Sequence, residues 1–307
     1  MATARMQEIQ RQKDPELRKA VELAAKGEAA RSLALVHDVR EIHDDHARRR
    51  AIADDFARLS PEERARTIVV AGTNEARREI NRAVREDLGL AGHGQEHTLL
   101  IRRDTTQAER TFSKNYAVGD VIQPERDYPK VGLERGAIYE ITETGPGNRL
   151  TVRGENGKTI EFSPMAYRKL SVYEPERAEL AVGDRVRITR NDAALDLANG
   201  DRFTVAHVSS RTITLTSGNR MVELPADGPL HLDHAYATTV HSSQGLTADR
   251  VLIDASTRSR TTSQDVFYVA ISRAQHEARV YTDDRAKLPL AVEREHQKHA
   301  ALDLERG

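Results

Sequence analysis

The sequence contains no cysteine among its 307 residues, which excludes disulfides, a thiol nucleophile, an iron–sulfur centre and a cysteine zinc site. Tryptophan is also absent and aromatic residues make up 4% of the chain, so a platform of stacked aromatic side chains is not expected. No apolar run approaches the ~18 residues needed to span a membrane, and the first residues lack the apolar core of a signal peptide. We therefore expect no membrane insertion and a cytoplasmic location.

An excess of charge of one sign is missing as well. The 47 basic and 48 acidic residues leave a formal net charge of −1, so no field of the whole protein attracts a polyanion. Any contact with nucleic acid must then come from local patches. The length predicts about two domains, and an apolar content of 38% is enough for folded cores.

The two ends of the chain read as parts of one α/β domain. Residues 1–60 have helical periodicity, with Asp14-Pro15 as a helix start, and Ser60-Pro61 predicts a second start. The buried-type strand 67–71 is followed by a tight turn and an amphipathic helix over 75–88. Further strands are predicted at 248–256 and 278–282, on either side of a helix capped by Ser263. We assign residues 1–90 and 226–307 to this domain, which is typical of a parallel sheet.

The middle of the chain, residues 91–225, shows short alternating stretches between glycine turns. AVGDVI at 117–122 recurs as AVGDRV at 181–186, and two further segments recur at an offset of about 62 to 64 residues. A constant offset indicates a duplicated unit. We predict two consecutive SH3-like β-barrels, at about 115–173 and 179–225, inserted into the α/β domain.

Two further motifs favour structural interpretations. GENGKT at 154–159 resembles a phosphate-binding loop, but Val152 stands where that pattern requires its first glycine. Asn156-Gly157 between alternating residues instead predicts a type I′ hairpin turn, which leaves the chain without an ATP-binding loop of its own. His43-Asp44-Asp45-His46 has no third ligand in view, so we predict a solvated helix face and no metal site.

Two polar segments in the last third of the chain carry a stronger signal. VHSSQGLT at 240–247 places a glycine, a glutamine and three hydroxyls between apolar segments. YVAISRA at 268–274 places Arg273 directly after an apolar helical stretch. Either segment alone fits an ordinary loop or helix, but together and in this order they resemble motifs V and VI of superfamily 1 helicases.

The resemblance extends over nearly the whole chain. EIQRQ at 8–12 resembles the arginine motif after motif III of RecD-type helicases, TIVVAGTNEARREIN resembles their next strand and helix, and GDRVRITRNDAALDLANGD resembles a block of their inserted barrel. The arrangement is most similar to the helicase part of conjugative relaxase-helicases of the TraI/TrwC (MobF) family. It implies a second RecA-like domain, a P-loop NTPase fold without its own P-loop, carrying an inserted pair of SH3-like β-barrels. Motifs I, Ia, II and III and the relaxase's histidine triad and tyrosine are not in the sequence, so the chain resembles the second half of a motor.

The resemblance also implies roles for individual residues. Arg11 and Arg273 would stabilise charge on the γ-phosphate, and Gln12, Gln244 and Gly245 would lie at the nucleotide. Contacts to single-stranded DNA would come from hydroxyl, imidazole, amide and basic side chains, namely Arg187, Arg190, Asn191, Thr239, His241, Ser242 and Ser243, with Asn74 and Asn81 as weaker candidates. ATP and Mg²⁺ would be held only through the missing first domain, so we expect no hydrolysis by this chain alone.

The implied function is that of an ATP-dependent DNA helicase or translocase of a conjugative relaxase, moving 5′ to 3′. The expected partners are single-stranded DNA, a P-loop-containing first RecA-like domain in cis or in trans, and the conjugation secretion machinery. Two alternatives stay open: a non-enzymatic module of a relaxase for single-stranded DNA binding or secretion, and a fragment of a RecD-like repair helicase. A P-loop encoded in frame upstream would separate the motor half from the module.

Overall fold

The computed structural model describes residues 11–103, 105–243 and 245–294, which fold as two units. The parallel-sheet unit contains residues 11–92 and 234–294, and the repeat unit contains residues 93–233. In the order of the chain, the repeat unit therefore stands between the two segments of the parallel-sheet unit.

Helices concentrate towards the two ends of the described chain, and strands fill its middle. The helices are α1 (Pro15–Ala25), α2 (Ala29–Leu33), α3 (Asp45–Ala57), α4 (Pro61–Ala65), α5 (Asn74–Asp87), α6 (Gln264–Ile271) and α7 (Leu288–Val292). The strands are β1 (Asp38–Glu41), β2 (Thr67–Ala71), β3 (Gln95–Arg102), β4 (Val121–Pro124), β5 (Tyr139–Gly145), β6 (Arg149–Gly154), β7 (Thr159–Phe162), β8 (Leu170–Leu180), β9 (Arg185–Ile188), β10 (Arg202–Val208), β11 (Thr212–Ser217), β12 (Arg220–Pro225), β13 (Leu232–His234), β14 (Ala237–Thr239), β15 (Ala248–Asp254) and β16 (Ala274–Thr282). Short 3₁₀ turns occur at Glu109–Thr111, Ser113–Asn115 and His241–Ser243.

The parallel-sheet unit is built on one sheet with the strand order β1-β16-β15-β2-β14, and every neighbouring pair is parallel. All five residues of β2 are buried, as expected for a central strand covered on both faces. One core packs α1, α2, α6 and α7 against the sheet, and a second core packs α3 and α5 against its other face. This arrangement confirms the α/β class and resembles a RecA-like domain.

Local sequence signals determine where the helices of this unit begin. The Asp14 carboxylate accepts a hydrogen bond from Leu17 N at 2.7 Å, and α1 starts at Pro15 as predicted. Ser60 and Glu63 form a reciprocal capping box at the start of α4. The predicted strand 67–71 and the helix after it are also confirmed as β2 and α5.

The helical interpretation of residues 1–60 is wrong at β1. This four-residue strand pairs in parallel with β16 at the edge of the sheet. Val39 is the one apolar residue in Asp38–Glu41, so the segment has no apolar alternation that would indicate a strand. Pairing with β16, distant in sequence, decides its conformation.

The repeat unit contains two antiparallel sheets, with the orders β3-β8-β4-β5-β6-β7 and β12-β11-β10-β9-β13. Strands β4 to β7 of the first repeat correspond in order to β9 to β12 of the second. A register irregularity falls between Ile141 and Glu143 in the first repeat and between Val205 and His207 in the second. The two sets of strands therefore share their bulge position as well as their order.

The main-chain hydrogen bonds of the repeated AVGD turns are also the same. The equivalent pairs are Gly119 N to Ile141 O (2.8 Å) and Gly183 N to Val205 O (2.8 Å), and Ile141 N to Asp120 O (2.7 Å) and Val205 N to Asp184 O (2.8 Å). Gly119 and Gly183 have φ of +89° and +95°, a conformation that is strained for any residue with a β-carbon. The repeated glycine is thus required by the turn itself.

The GENGKT segment forms a hairpin between β6 and β7, but the predicted type I′ turn is wrong. Gly154 N donates to Lys158 O at 3.0 Å, which leaves a loop of residues 155–157. A type I′ turn needs positive φ at both central residues, and here Gly157 (+77°) has it while Asn156 does not. A three-residue loop with glycine in the left-handed region replaces the two-residue turn.

Candidate functional site

Arg273 follows directly after α6, whose buried residues Phe267, Ala270 and Ile271 fix the end of the helix in the core. The half-buried guanidinium donates to Val269 O at 3.0 Å, to Ser272 Oγ at 3.1 Å and to Leu246 O at 3.4 Å. Within the described part of the chain, no carboxylate lies within 4.0 Å of it. Arg273 is therefore held in place by its own helix end without an ion-pair partner.

A second guanidinium lies beside the first. Arg11 Nη1 donates to Ser272 O at 3.2 Å, and the Arg11 side chain is exposed. Burial, followed by the like charge of Arg11, lowers the pKa of Arg273. Two neighbouring cations that repel one another form a site that a bound anion would stabilise.

Gln12 anchors the segment that carries Arg11. Its buried Nε2 donates to Ser272 O at 3.2 Å and to Ala274 O at 2.9 Å, while Lys13 N donates to Gln275 O at 2.8 Å. Gln12, which the sequence predicts to lie at the nucleotide, thus has its amide nitrogen engaged with the backbone around Arg273. In this structure Gln12 positions the arginine pair.

The segment from Val240 to Leu246 connects the end of β14 with the start of β15. It begins with the 3₁₀ turn His241–Ser243 and passes through Gly245, whose φ is +87°. Leu246 O accepts the hydrogen bond from Arg273, so the predicted motifs V and VI are in direct contact. Gln244 lies outside the described residues.

The predicted DNA contacts on this unit follow the carboxyl ends of β14 and β2. These strands are parallel neighbours with Thr239 opposite Ala71, so Thr239 and the 72–74 turn lie at the same edge. Thr73 caps α5 by accepting from Ala76 N at 3.1 Å, and Asn74 is half-buried in the first turn of the helix. A helix N-terminus with neighbouring hydroxyls suits a phosphate.

Gly72 is required at this edge by close packing. A β-carbon on Gly72 would come within 2.5 Å of Thr261 Oγ1 in the loop between β15 and α6. Any side chain there would displace the Thr261 side chain.

The structure separates the two groups of predicted residues. Ala248 and Ala274 are register partners at the amino ends of β15 and β16, which places Leu246 and Arg273 at that edge of the sheet. Thr239 and Asn74 lie at the opposite edge, because all strands run in one direction. The 240–247 segment spans the two edges and links the candidate DNA contacts to the arginine pair.

The three residues of the 3₁₀ turn, His241–Ser243, make different contacts. Ser243 is fully buried, and its Oγ donates to Val240 O at 2.6 Å, which gives it a part in the turn. Ser242 is half-buried, and its backbone N–H donates to Thr239 Oγ1 at 3.4 Å. The backbone of His241 begins the 3₁₀ turn.

Asn81, one of the two weaker candidates, has a structural role. Its Oδ1 accepts from Ala237 N at 2.7 Å, and its Nδ2 donates to Ala237 O at 3.3 Å. Both ends of this buried amide are thus engaged with the edge strand β14. The expected DNA contact at Asn81 is wrong, because the side chain faces the sheet.

Two of the residues predicted to contact DNA in the repeat unit also have partners within the protein. Arg187 is buried and its Nη2 forms an ion pair with Asp233 at 3.0 Å, unlike the exposed arginine expected for a phosphate contact. Asn191 Oδ1 accepts from Asn199 N at 2.7 Å and closes the loop 189–200. Asp127 does the same in the first repeat, where its Oδ1 accepts from Arg135 N at 2.7 Å.

Arg190, the third of these candidates, is half-buried near His231. The His231 ring packs edge-on against Tyr173 with its centroid 4.9 Å away, and both ring nitrogens are buried without a hydrogen-bond partner among the described residues. Burial, followed by the charge of Arg190, lowers the pKa of His231 to about 4. The His231 imidazole is therefore neutral in the folded repeat unit at neutral pH.

We expect this histidine to make stability depend on pH. The unfolded chain takes up a proton at an ordinary histidine pKa of ~6.5 while the folded chain does not, so stability is complete above that pH and falls as the pH drops towards 4. Between pH 6.5 and 5 the loss is about 2 kcal/mol at most. Urea titrations at pH 7 and 5 should show a smaller difference for His231→Phe than for the parent. The exposed His207 provides the control, since His207→Gln should keep the parent's difference; equal differences for His231→Phe and the parent would contradict the expectation.

No group of three histidine or acidic residues that could hold a metal ion occurs among residues 11–103, 105–243 and 245–294. The His43-Asp44-Asp45-His46 segment instead starts α3. Asp44 caps the helix by accepting from Ala47 N at 2.7 Å, and His43 Nδ1 lies 2.6 Å from Asp283 O. Over the same described residues, no helix is long and apolar enough to cross a membrane.

The sequence interpretation missed Ser272. Its carbonyl accepts from both Arg11 and Gln12, and its hydroxyl accepts from Arg273, so one residue connects the whole arginine site. The only signal in the sequence was its position directly before Arg273.

Parts of the chain are similar to known proteins. A family model described as the UvrD-like helicase C-terminal domain matches residues 234–281. The multifunctional conjugation protein TraI of Escherichia coli K12 is 26% identical over 264 residues, covering 83% of this chain and 15% of TraI. The probable conjugal transfer protein TraA of Sinorhizobium fredii is 31% identical over 143 residues, covering 44% of this chain and 13% of TraA. Among solved structures, a Pif1 helicase from Candida albicans aligns with 92% of this chain and 57% of its own, at 16% identity and a TM-score of 0.44.

The chain thus spans about 15% of the length of TraI and 13% of TraA. The resemblance drawn from the motifs is confirmed by these relatives and by the helicase domain model, which covers both polar segments at 240–247 and 268–274. The chain is similar in sequence to conjugation proteins of the TraI and TraA type, and its residues 234–281 resemble the C-terminal domain of UvrD-like helicases.

Proposed function

We propose that this chain is the second half of an ATP-dependent DNA helicase or translocase motor of a conjugative relaxase. Arg11 and Arg273 act as arginine fingers that stabilise the negative charge on a γ-phosphate during phosphoryl transfer. The nucleotide and Mg²⁺ are bound by a first RecA-like domain with a P-loop. This chain completes the cleft.

The observation that carries the proposal is the arginine pair, which forms no ion pair with a carboxylate of the described residues. Arg66 of the same unit, by contrast, forms an ion pair with Asp249 at 3.6 Å. Arg11 and Arg273 are instead held side by side by backbone carbonyls and the Ser272 hydroxyl. Such preorganisation lets the guanidiniums meet a developing charge without rearranging.

We place the single-stranded DNA contacts at the edge of the sheet where the strands have their carboxyl ends, opposite the edge that carries the arginine pair. Thr239, Asn74 and the 3₁₀ turn at 241–243 offer hydroxyl, amide and backbone N–H groups, which grip phosphates without reading sequence. In this proposal the 240–247 segment couples the DNA contacts to the arginine pair. A movement of the DNA strand at Thr239 would be transmitted through Leu246, which is hydrogen-bonded to Arg273. The repeated sheets form two SH3-like barrels that guide the strand in this proposal, supported by their equivalent hydrogen bonds.

The chain alone is expected not to hydrolyse ATP. It contains no P-loop and no acidic ligand set for magnesium among its described residues, so it supplies only the arginine side of the site. Joining it to the P-loop-containing first domain of a TraI or TraA relative should give DNA-stimulated turnover. Steady-state phosphate release from the chain, the first domain and the joined protein measures this directly.

Two results would contradict the proposal. The first is turnover near 1 per second or more by the isolated chain, on the ordinary enzyme scale, that survives further purification and disappears in Arg273→Ala. The second is a joined protein that is folded and binds nucleotide but hydrolyses no ATP with or without DNA. In that case the alternative of a non-enzymatic DNA-binding module would replace the motor role.

A further inference from the structure

We propose that Arg18 is a positioning residue for Arg11, which it holds in place through the main chain. The inference rests on the proposed function, in which Arg11 and Arg273 stabilise charge on the γ-phosphate. Arg18 belongs to neither of the two motifs that carry those arginines. It lies in the first turns of α1, seven residues after Arg11.

The segment that carries Arg11 is bound to β16 through its N–H groups. Lys13 N and Asp14 N donate to Gln275 O at 2.8 and 3.3 Å. The Gln12 side chain also donates to backbone carbonyls at the start of this strand. These bonds use donors of the segment, so its carbonyl groups need donors from elsewhere.

Arg18 supplies such a donor from α1. Its Nη2 donates to Gln12 O at 3.0 Å, and no other described residue donates to that carbonyl. A hydrogen bond from a charged guanidinium is stronger than one between neutral groups. Because Gln12 directly follows Arg11, Arg18 and β16 hold the same short stretch of main chain between them.

The helix that carries Arg18 is itself fixed in the parallel-sheet unit. The Asp14 carboxylate caps its first turn by accepting from Leu17 N at 2.7 Å. Leu17 is buried in the same core as Phe267 of α6, the helix that ends directly before Arg273. Arg18 therefore binds the segment from a base that is packed against the second arginine's own helix.

The bond to Gln12 O is not the consequence of a surface ion pair. Asp14 and Glu22 stand four residues before and after Arg18, the spacing at which a carboxylate pairs with an arginine on a helix. Within residues 11–103, 105–243 and 245–294, Arg18 nevertheless lies within 4.0 Å of no carboxylate. The Gln12 carbonyl is thus the partner that sets the direction of this exposed side chain.

Arg11 needs support from the main chain, because its own side chain is exposed and makes one hydrogen bond, to Ser272 O at 3.2 Å. A group that stabilises a transition state must be in place before the charge develops. Misplacing such a group by about 1 Å can lower a rate roughly 100-fold. Arg18 contributes this constraint without contacting the nucleotide.

The first experiment measures backbone amide exchange by NMR in the full 307-residue chain. In Arg18→Ala the Lys13 and Asp14 amides should exchange roughly tenfold faster than in the parent, because a hydrogen bond from a charged donor is lost. Arg18→Lys keeps a charged donor and should restore most of the protection. Lys19→Ala removes the next exposed cation of α1 and should keep the parent's rates. The Ala255 amide, which is bonded within the sheet, should exchange equally in all variants.

The second experiment places the same variants in the joined motor. Arg18→Ala should lower the kcat of DNA-stimulated hydrolysis roughly 10- to 100-fold and leave KM for ATP close to the parent's, because the first domain binds the nucleotide. Added to Arg11→Ala, it should have no further effect, because a residue that acts through Arg11 then has nothing to position. Arg18→Lys should recover most of the rate, and Lys19→Ala should keep the parent's kcat.

The proposal is overturned if the Lys13 and Asp14 amides exchange equally in Arg18→Ala and the parent. A parental kcat in Arg18→Ala, or a further loss of rate when it is added to Arg11→Ala, overturns it as well. Failure of the motor proposal gives a different result, because Arg273→Ala would then leave hydrolysis unchanged while the amides of the isolated chain still exchange faster in Arg18→Ala. Equal melting temperatures of the parent and all variants exclude general destabilisation as the cause.

Discussion

Replacing Arg273 by alanine lowers the DNA-stimulated ATP hydrolysis of the joined motor by a factor of roughly 10³–10⁵, the range observed when an arginine finger is removed. The guanidinium is held by Val269 O, Leu246 O and the Ser272 hydroxyl, and has no carboxylate partner in the described chain. Its loss therefore removes charge from the cleft without leaving a buried acid unpaired. Steady-state phosphate release in the presence of single-stranded DNA measures the effect.

Three controls make the Arg273 result specific. Arg66→Ala removes an exposed arginine that pairs with Asp249, a contact typically worth ~0–1 kcal/mol, and should leave the rate unchanged. Arg273→Lys keeps the charge but loses the planar guanidinium group, so its rate should lie between those of Arg273→Ala and the parent. The melting temperature and single-strand binding of Arg273→Ala should stay close to those of the parent. A parental rate in Arg273→Ala would remove the arginine-finger role and the motor assignment with it.

Replacing Asp254 by alanine should destabilise the parallel-sheet unit by about 3–5 kcal/mol, because it leaves a buried arginine without its main partner. Arg48 is fully buried, and its Nε donates to Asp254 Oδ1 at 2.8 Å, while its Nη2 lies 2.7 Å from Asp45 Oδ1. Asp254 ends β15 at the edge of the sheet that carries Thr239 and Asn74. Urea unfolding followed by circular dichroism measures the loss.

The opposite end of the same strand provides the matched control. Asp249 is partly exposed and pairs loosely with Arg66, so Asp249→Ala should cost at most ~1 kcal/mol. The double variant Arg48→Met/Asp254→Ala removes both buried charges and should recover part of the loss. If Asp254→Ala were no more destabilising than Asp249→Ala, the buried pair would have no structural role.

Sequence patterns with a short-range cause predicted local structure well. The caps at Asp14 and Ser60 start α1 and α4 because a side-chain oxygen accepts the free N–H groups of the first turn, which depends only on neighbouring residues. The repeated AVGD turns likewise depend on a glycine with positive φ and a fixed offset. The Asn156-Gly157 turn shows the limit, since the pairing of β6 with β7 set a longer loop than the dipeptide predicted.

The candidate site was predicted less completely than the fold. Arg11 and Arg273 stand in motifs at opposite ends of the chain, and the pattern of letters does not reveal that Ser272 connects them. The same motifs did not distinguish Asn81 and Arg187, whose side chains bond to the protein interior, from predicted site residues that are exposed. The type of a polar residue does not reveal whether its side chain binds the protein's own backbone or a phosphate. Only its burial and its hydrogen-bond partners in the folded structure separate the two roles.

The sequence by itself determined the α/β class, the inserted duplicated region, the starts of the main helices and the two arginines of the candidate site. Each of these depends on periodicity, capping chemistry, repetition or a motif within a short window of the chain. The tertiary structure alone decided that β1 is a strand and that the predicted nucleotide and DNA contacts of the parallel-sheet unit lie at opposite edges of one sheet. These features depend on contacts between residues far apart in the chain, and such contacts leave no local pattern because their free energy comes from pairing and burial that exist only once the chain has folded.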